Sequence, residues 1–207
     1  MKKTLLSVAL FSFFFFHFSI SSAQGRFDAH LFAGLNMGQL DGDQSDGFSH
    51  PGLRAGVGSS FTLGSDLASP WRMVVELAFS NKGSHVKSID RTFSVNYIEL
   101  PLMMSYNTME NRLRIAAGVA PAVRVGYNVT TGGTDEPGWD ENLTAVDWLP
   151  LTFSLRYRFT DHLGVDIRYQ YSALSVTKNT GSGTYFLFRD NKGCFHNLVS
   201  FAMTYTF

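Results

Sequence analysis

Cysteine, surplus charge and long apolar runs are what this sequence has least of. Among its 207 residues there is one cysteine, Cys194, so no internal disulfide can form and no cysteine-based metal site can assemble. Lys+Arg and Asp+Glu each number 17, and without a basic excess the chain lacks the positive surface that nucleic-acid binding draws on. Beyond residue 20 no stretch approaches the ~20 unbroken apolar residues that span a bilayer as a helix. Yet 44% of the residues are hydrophobic, so the apolar content must be dispersed in another pattern.

The one continuous apolar run is N-terminal. Lys2 and Lys3 precede a phenylalanine-rich stretch from Leu5 to Ile20, and Ser21, Ser22 and Ala23 offer small residues before Gln24. A basic start, a short apolar middle and a small-residue site make the plan of a secretory signal peptide, and the stretch is short for a membrane anchor. Cleavage is expected after Ala23, leaving residues 24–207 as a single domain. No cysteine follows that site, which argues against a lipoprotein.

In the remainder, apolar residues recur with a period of two, the signature of strands whose two faces meet different media. Phe27, Ala29, Leu31, Ala33, Leu35 and Met37 share one face, opposite Asp28, His30, Phe32, Gly34 and Asn36. The same logic runs through 53–63, 71–79, 92–105, 113–125, 149–159, 163–172 and 195–207; in the last, Asn197 alone interrupts the apolar face. The segment 92–105 starts with Phe93 and Val95 outward and continues with Ile98, Leu100, Leu102 and Met104, a change of phase that predicts a one-residue bulge near Asn96 or Tyr97. Pro101 and Pro121 fall inside expected strands, where a missing N–H predicts local bulges.

Connections alternate in length. Residues 38–50, 83–91, 127–145 and 175–193 are mostly long and polar, and 64–69, 106–111 and 160–162 are short. The expected fold is all-β: a closed eight-stranded antiparallel up-and-down barrel with its long loops on one side and both termini on the other. A soluble barrel would turn its apolar face inward around a ligand. Here the polar face carries glycine, alanine and arginine with few lysines, which suits a narrow lumen. The apolar face carries aromatics near strand ends (Phe27, Phe61, Trp71, Phe79, Phe93, Tyr106, Trp148, Phe159, Tyr171 and Phe207), which suit the two lipid interfaces of a transmembrane barrel.

Two local features resemble known families. The alternating C-terminal segment ending in Phe207 resembles the terminal signal of bacterial outer-membrane barrels. That resemblance implies recognition by the barrel-assembly machinery, with outer-membrane lipid as the surrounding medium. The segment Asn96-Tyr-Ile-Glu-Leu-Pro-Leu-Met-Met-Ser-Tyr106 resembles the tyrosine-hydrophobic-glutamate-hydrophobic-proline signature of the PorT-like outer-membrane barrels of Bacteroidetes-type bacteria. The phenylalanine-rich leader, Gly56-Val-Gly58 and Gly118-Val-Ala-Pro121 fit it too. This second resemblance implies architecture rather than mechanism, and points to another envelope protein as a partner and to association with secretion.

On the inward face the chain places Glu76, Glu99, Arg72, Arg114, Arg156, Arg168 and Asp166. Charges confined in a narrow lumen must be paired, because a lone desolvated charge costs several kcal/mol. A forked guanidinium can bridge several carboxylates. The expected arrangement is a structural arginine–glutamate plug with Glu76 and Glu99 at its centre; a gate or anion-binding lumen is the functional alternative. Asp41 to Gly47 begins like a calcium loop but has Asp46 where the central glycine belongs and Gly52 where the closing glutamate belongs. No Ser/His/acid grouping is recognisable. No cofactor, metal or catalytic residue is expected, and the leading role is an interaction component of the envelope. The alternatives are a narrow channel for small solutes and a membrane-embedded enzyme acting on lipid or peptide.

Overall fold

The computed structural model describes residues 27–43, 47–64, 66, 68–136, 138, 141–177, 184–185 and 192–207. The expected signal peptide, part of the calcium-like stretch (44–46) and most of 178–191 lie outside the described residues. The strands are β1 (Phe27–Asp41), β2 (His50–Thr62), β3 (Trp71–Val86), β4 (Arg91–Glu99), β5 (Leu102–Thr108), β6 (Leu113–Val119), β7 (Ala122–Thr131), β8 (Thr134–Asp135), β9 (Val146–Asp147), β10 (Pro150–Arg158), β11 (Leu163–Ser172), β12 (Thr184–Tyr185), β13 (Lys192–Gly193) and β14 (Phe195–Thr206). A 3-10 turn, Lys87–Ile89, joins β3 to β4.

All pairings are antiparallel, and they run β1–β2, β2–β3, β3–β5, β5–β6, β6–β10, β10–β11, β11–β14 and β14–β1, a path that returns to its start. Each strand on this path has a partner on both sides, as strands surrounded by lipid require. The upper part of β3 pairs instead with β4, and β4 with β7, so this hairpin rises beyond the ring. The period-two pattern sets the facing: along β1, His30, Phe32 and Asn36 are buried, while Phe27, Leu31 and Leu35 are exposed. Exposed Leu, Val, Ile, Met and aromatic side chains cover the outside on every long strand.

The prolines interrupt strands without interrupting the ladder. Pro101, Pro121 and Pro150 lack a donor, but their carbonyls accept from the N–H of Glu76, Leu100 and Ala120 on the neighbouring strands, each at 2.9 Å. Pairing is thereby carried from β5 into β4 and from β6 into β7 at the positions where the two prolines made bulges the expectation.

Three expectations are corrected. Phe93 and Val95 face inward and are fully buried, in the same phase as Tyr97, Glu99, Met103 and Ser105. The strand therefore never changes phase. The irregularity opposite Asn96 and Tyr97 belongs to the partner: Asn96 faces Gly126 and Tyr97 faces Arg124, which leaves Val125 of β7 as the extra residue. Phe93 is accordingly no girdle residue, because it packs into a buried apolar cluster of the interior. Finally, 83–91 is mostly strand, since β3 continues to Val86.

Candidate functional site

Glu76 is the centre of the interior, and its position follows from a cross-strand row. His30 of β1 is opposite Gly58 of β2, and Gly58 is opposite Glu76 of β3. Strands lie ~4.8 Å apart, so first and third backbones are separated by roughly twice that, and their side chains meet only if the middle residue has none. A Cβ on Gly58 would lie 2.6 Å from His30 Nε2 and 2.7 Å from Glu76 Cγ. With glycine there, His30 Nε2 and Glu76 Oε1 come within 3.0 Å.

From the remaining directions Glu76 is met by arginines. Arg54 Nη2 donates to Oε2 at 3.2 Å, Arg168 Nη1 to Oε2 at 2.8 Å, and Arg156 Nη2 to Oε1 at 2.9 Å. β3 and β11 lie four pairings apart by either route around the closed path, so the Glu76–Arg168 bond crosses the full width of the interior. Asp166 completes the layer: it accepts from Ser154 Oγ at 2.7 Å and Arg156 Nε at 3.2 Å, and its Oδ1 lies 3.4 Å from Arg168 Nε. Arg54 also stacks 4.3 Å above the Phe32 ring, an attraction that strengthens when water is excluded. Three guanidiniums thus share two carboxylates in a site where removing one partner of a pair costs about 3–5 kcal/mol.

Arg72 and Arg114, expected in the same lattice, are elsewhere. Both meet Asp28 toward the end with the short turns, Arg72 by a hydrogen bond and Arg114 with its Nη2 at 3.6 Å. Arg114 Nε also donates to Asn107 Oδ1 at 3.1 Å. Glu99 is buried, but its counter-charge is Lys82 Nζ at 2.6 Å, not an arginine. The reason is register: Glu99 is opposite Ala78, and Lys82 is on the same inward face of β3 one turn of pleat higher than Ser80. Lys82 in turn lies 5.2 Å from the Tyr97 ring, and the Tyr97 hydroxyl reaches His196 Nε2 at 3.2 Å.

Beside and above this second layer lies an apolar patch, bordered by polar side chains, since Lys82 is opposite Val95 and buried Ser84, whose hydroxyl donates to Asp43, is opposite Phe93. Leu40, Phe93, Val95, Tyr97, Val129 and Val176 form one buried cluster with Ala122, Leu143 and Cys194. Segments of two long connections close over it, bridged at Leu143–Thr177 and by Thr144 N–H donating to the Val176 carbonyl at 2.9 Å. Sequence reasoning had not singled out Asp28, His30, Arg54 or Lys82. Parity could have found them: Asp28 and His30 stand on the polar face of β1, Arg54 on that of β2, and Lys82 on the face of β3 that carries Arg72 and Glu76.

A family model described as outer membrane protein beta-barrel domain matches residues 19–178. The chain belongs to that family. Among solved structures, this outer-membrane barrel is similar to Ail, the attachment invasion locus protein of Yersinia pestis, with a TM-score of 0.50 at 11% identity over 88% of this chain and 99% of that one. For Neisserial surface protein A the values are 0.49 and 13% over 87% and 97%, and for OprG of Pseudomonas aeruginosa 0.46 and 12% over 88% and 96%. The likeness to Ail shows the fold, an all-β antiparallel transmembrane β-barrel. No curated protein matches the chain in sequence. Family and fold together give its location, the bacterial outer membrane. Among the described residues no helix is long and apolar enough to cross a membrane and no group of His, Cys, Asp or Glu could hold a metal.

Proposed function

We propose that this protein is a closed eight-stranded outer-membrane barrel with a plugged interior, acting through its exposed loops or its periplasmic rim as a structural or interaction component of the envelope. The strand count follows from reading β4 with β5, β6 with β7 and β9 with β10 as single strands, in keeping with the ladder bonds that the proline carbonyls accept. The longer connections are the extracellular ones and both termini are periplasmic, as in barrels of this class. Residues 1–23 are the removable leader, and terminal Phe207 is the assembly signal. The PorT-like signature around Tyr97, Glu99 and Pro101 suggests a protein partner in the envelope, within or beside a secretion system.

The observation that carries this reading is the double closure of the interior: a charge lattice spans it from Glu76 to Arg168, and an apolar cluster lies above. A filled interior is the normal condition of an eight-stranded barrel and favours interaction over conduction. No residue is proposed as catalytic. The test joins two measurements. The purified barrel in planar bilayers should give no steady conductance, and photo-crosslinkers placed at exposed Phe48 or Met109 in living cells should capture one defined envelope protein. Ohmic channels from the intact barrel would overturn the reading in favour of a solute channel.

A further inference from the structure

Outside the interior, one feature of the wall is out of keeping with a lipid-facing surface. Around the outer ends of β1, β14, β11 and β10 the register aligns Gln39, Asn197, Tyr171 and Leu151 in one cross-strand row, and Met37, Val199, Tyr169 and Phe153 in the row beneath. Side chains below these rows on the same face are purely apolar: Leu35, Phe201, Ile167 and Leu155. Asp41, at the end of β1, stands above. It accepts from Gln39 Nε2 at 2.7 Å, Asn197 Nδ2 approaches it at 3.5 Å, and Tyr171 is hydrogen-bonded to it. Asn197 Oδ1, screened from water, has no partner among the described residues. Between Asp41 and Asn197 on one side and Tyr169, Tyr171, Leu151 and Phe153 on the other lies a groove of about 550 Å³.

We propose that this groove holds the sugar head of an outer-leaflet glycolipid, with the acyl chains running down the Tyr169–Phe153 wall. The chemistry favours that occupant. A carboxylate and an unpaired amide oxygen are acceptors for the paired hydroxyls of a sugar. Aromatic rings offer flat apolar faces to its C–H side, with polar tips suited to the membrane–water boundary. A bare acyl chain would leave the Asn197 oxygen unsatisfied, which costs about the desolvation of that group. The placement in the outer leaflet rests on the orientation proposed above; the groove itself does not.

The test uses the mature barrel in nanodiscs of phosphatidylethanolamine doped with rough lipopolysaccharide, extracted into mild detergent and weighed by native mass spectrometry. The barrel should retain lipopolysaccharide in preference to phosphatidylethanolamine. Asp41→Ala and Asn197→Leu should each lower that retention by about tenfold, the effect of one hydrogen bond to a charged or buried group. Asn128→Leu, on the exposed face of β7, should leave it unchanged. Heat-modifiable gel migration reports whether each variant folds, and Tyr171→Phe supplies a milder variant should Asp41→Ala not fold. Equal retention across the groove variants that fold, or preferential retention of phosphatidylethanolamine, overturns the proposal. Retention lost in every variant including Asn128→Leu does so as well, because the groove is then not the determinant. Conductance by the intact barrel would leave this result standing, so the two proposals fail separately.

Discussion

Replacing Glu76 with glutamine keeps the side chain's size and removes its charge, which makes it the sharpest probe of the interior. In the folded barrel Glu76 lies against Arg54, Arg156, Arg168 and His30, and its carboxylate is fully buried. After the change only Asp166 remains as a counter-charge for three guanidiniums, and the new amide turns one of its two polar atoms into a donor facing other donors. Removing one partner of a buried ion pair costs about 3–5 kcal/mol, a large part of the stability of an ordinary domain, roughly 5–15 kcal/mol. Urea unfolding in lipid vesicles, followed by tryptophan emission and gel migration, measures the loss. Arg168→Met in the same background removes an arginine that would otherwise stay uncompensated, so the double variant should be less destabilised than the sum of the singles, by about 1–3 kcal/mol. Losses that add to within about 0.5 kcal/mol would mean that water screens these charges, and the plugged interior would have to be abandoned for a hydrated one.

Gly58→Ala should cost about 1–3 kcal/mol by forcing His30 and Glu76 apart, and His30→Ala should relieve part of that loss in the same unfolding assay. Lys82→Met should destabilise by about 3–5 kcal/mol because it strands Glu99, whereas Lys82→Met with Glu99→Leu should recover most of it; a double variant as weak as the single would show that Glu99 has another counter-charge. Val95→Asp places a carboxylate in the apolar cluster and should lower the midpoint of unfolding, while Asn128→Asp, exposed on the outer face of β7, should leave it within about 0.5 kcal/mol. Deleting Phe207, which is 70% exposed and whose N–H donates to the Ala29 carbonyl at 3.0 Å, should reduce the folded outer-membrane fraction in cells more than it reduces stability in vitro.

What was legible in the sequence is what depends on the medium. Leu31, Leu35, Val57, Leu77, Ile115, Leu155, Ile167 and Phe201 are apolar because lipid is apolar along the whole band, so their period of two is unbroken and locates each strand. The interior has no single medium. Its charged middle reads as polar, and Glu76, Arg156, Asp166 and Arg168 were visible there by parity. Its upper part is packed with Phe93, Val95 and Tyr97, while the other face of that segment carries Thr92, Ser94 and Asn96, so the alternation is kept but inverted, and taking the apolar face as the outward one produces a change of phase that the strand does not have. That is why the sequence around Asn96 suggests a bulge in the wrong strand: the true extra residue is Val125 of β7, where the exposed Val123 and Val125 give way to buried Val129 at the same parity.

Partner choice within the interior was illegible for a different reason. Glu76 and Arg168 are 92 residues apart and on opposite walls, so nothing local relates them; only the number of strands, which sets the width of the barrel, brings their ends to 2.8 Å. The same geometry explains why two closures exist rather than one. A layer of charges alone would still attract water and ions to its edges, since three guanidiniums outnumber two carboxylates. An apolar cluster alone, above an empty polar cavity, would leave buried polar groups unpaired. Stacked along one axis, the lattice gives the arginines their partners and the cluster keeps water from competing for them, so each layer makes the other cheaper to bury. A change in either layer should therefore weaken the other, and the Glu76→Gln loss should shrink when Val95→Asp has already admitted water from above.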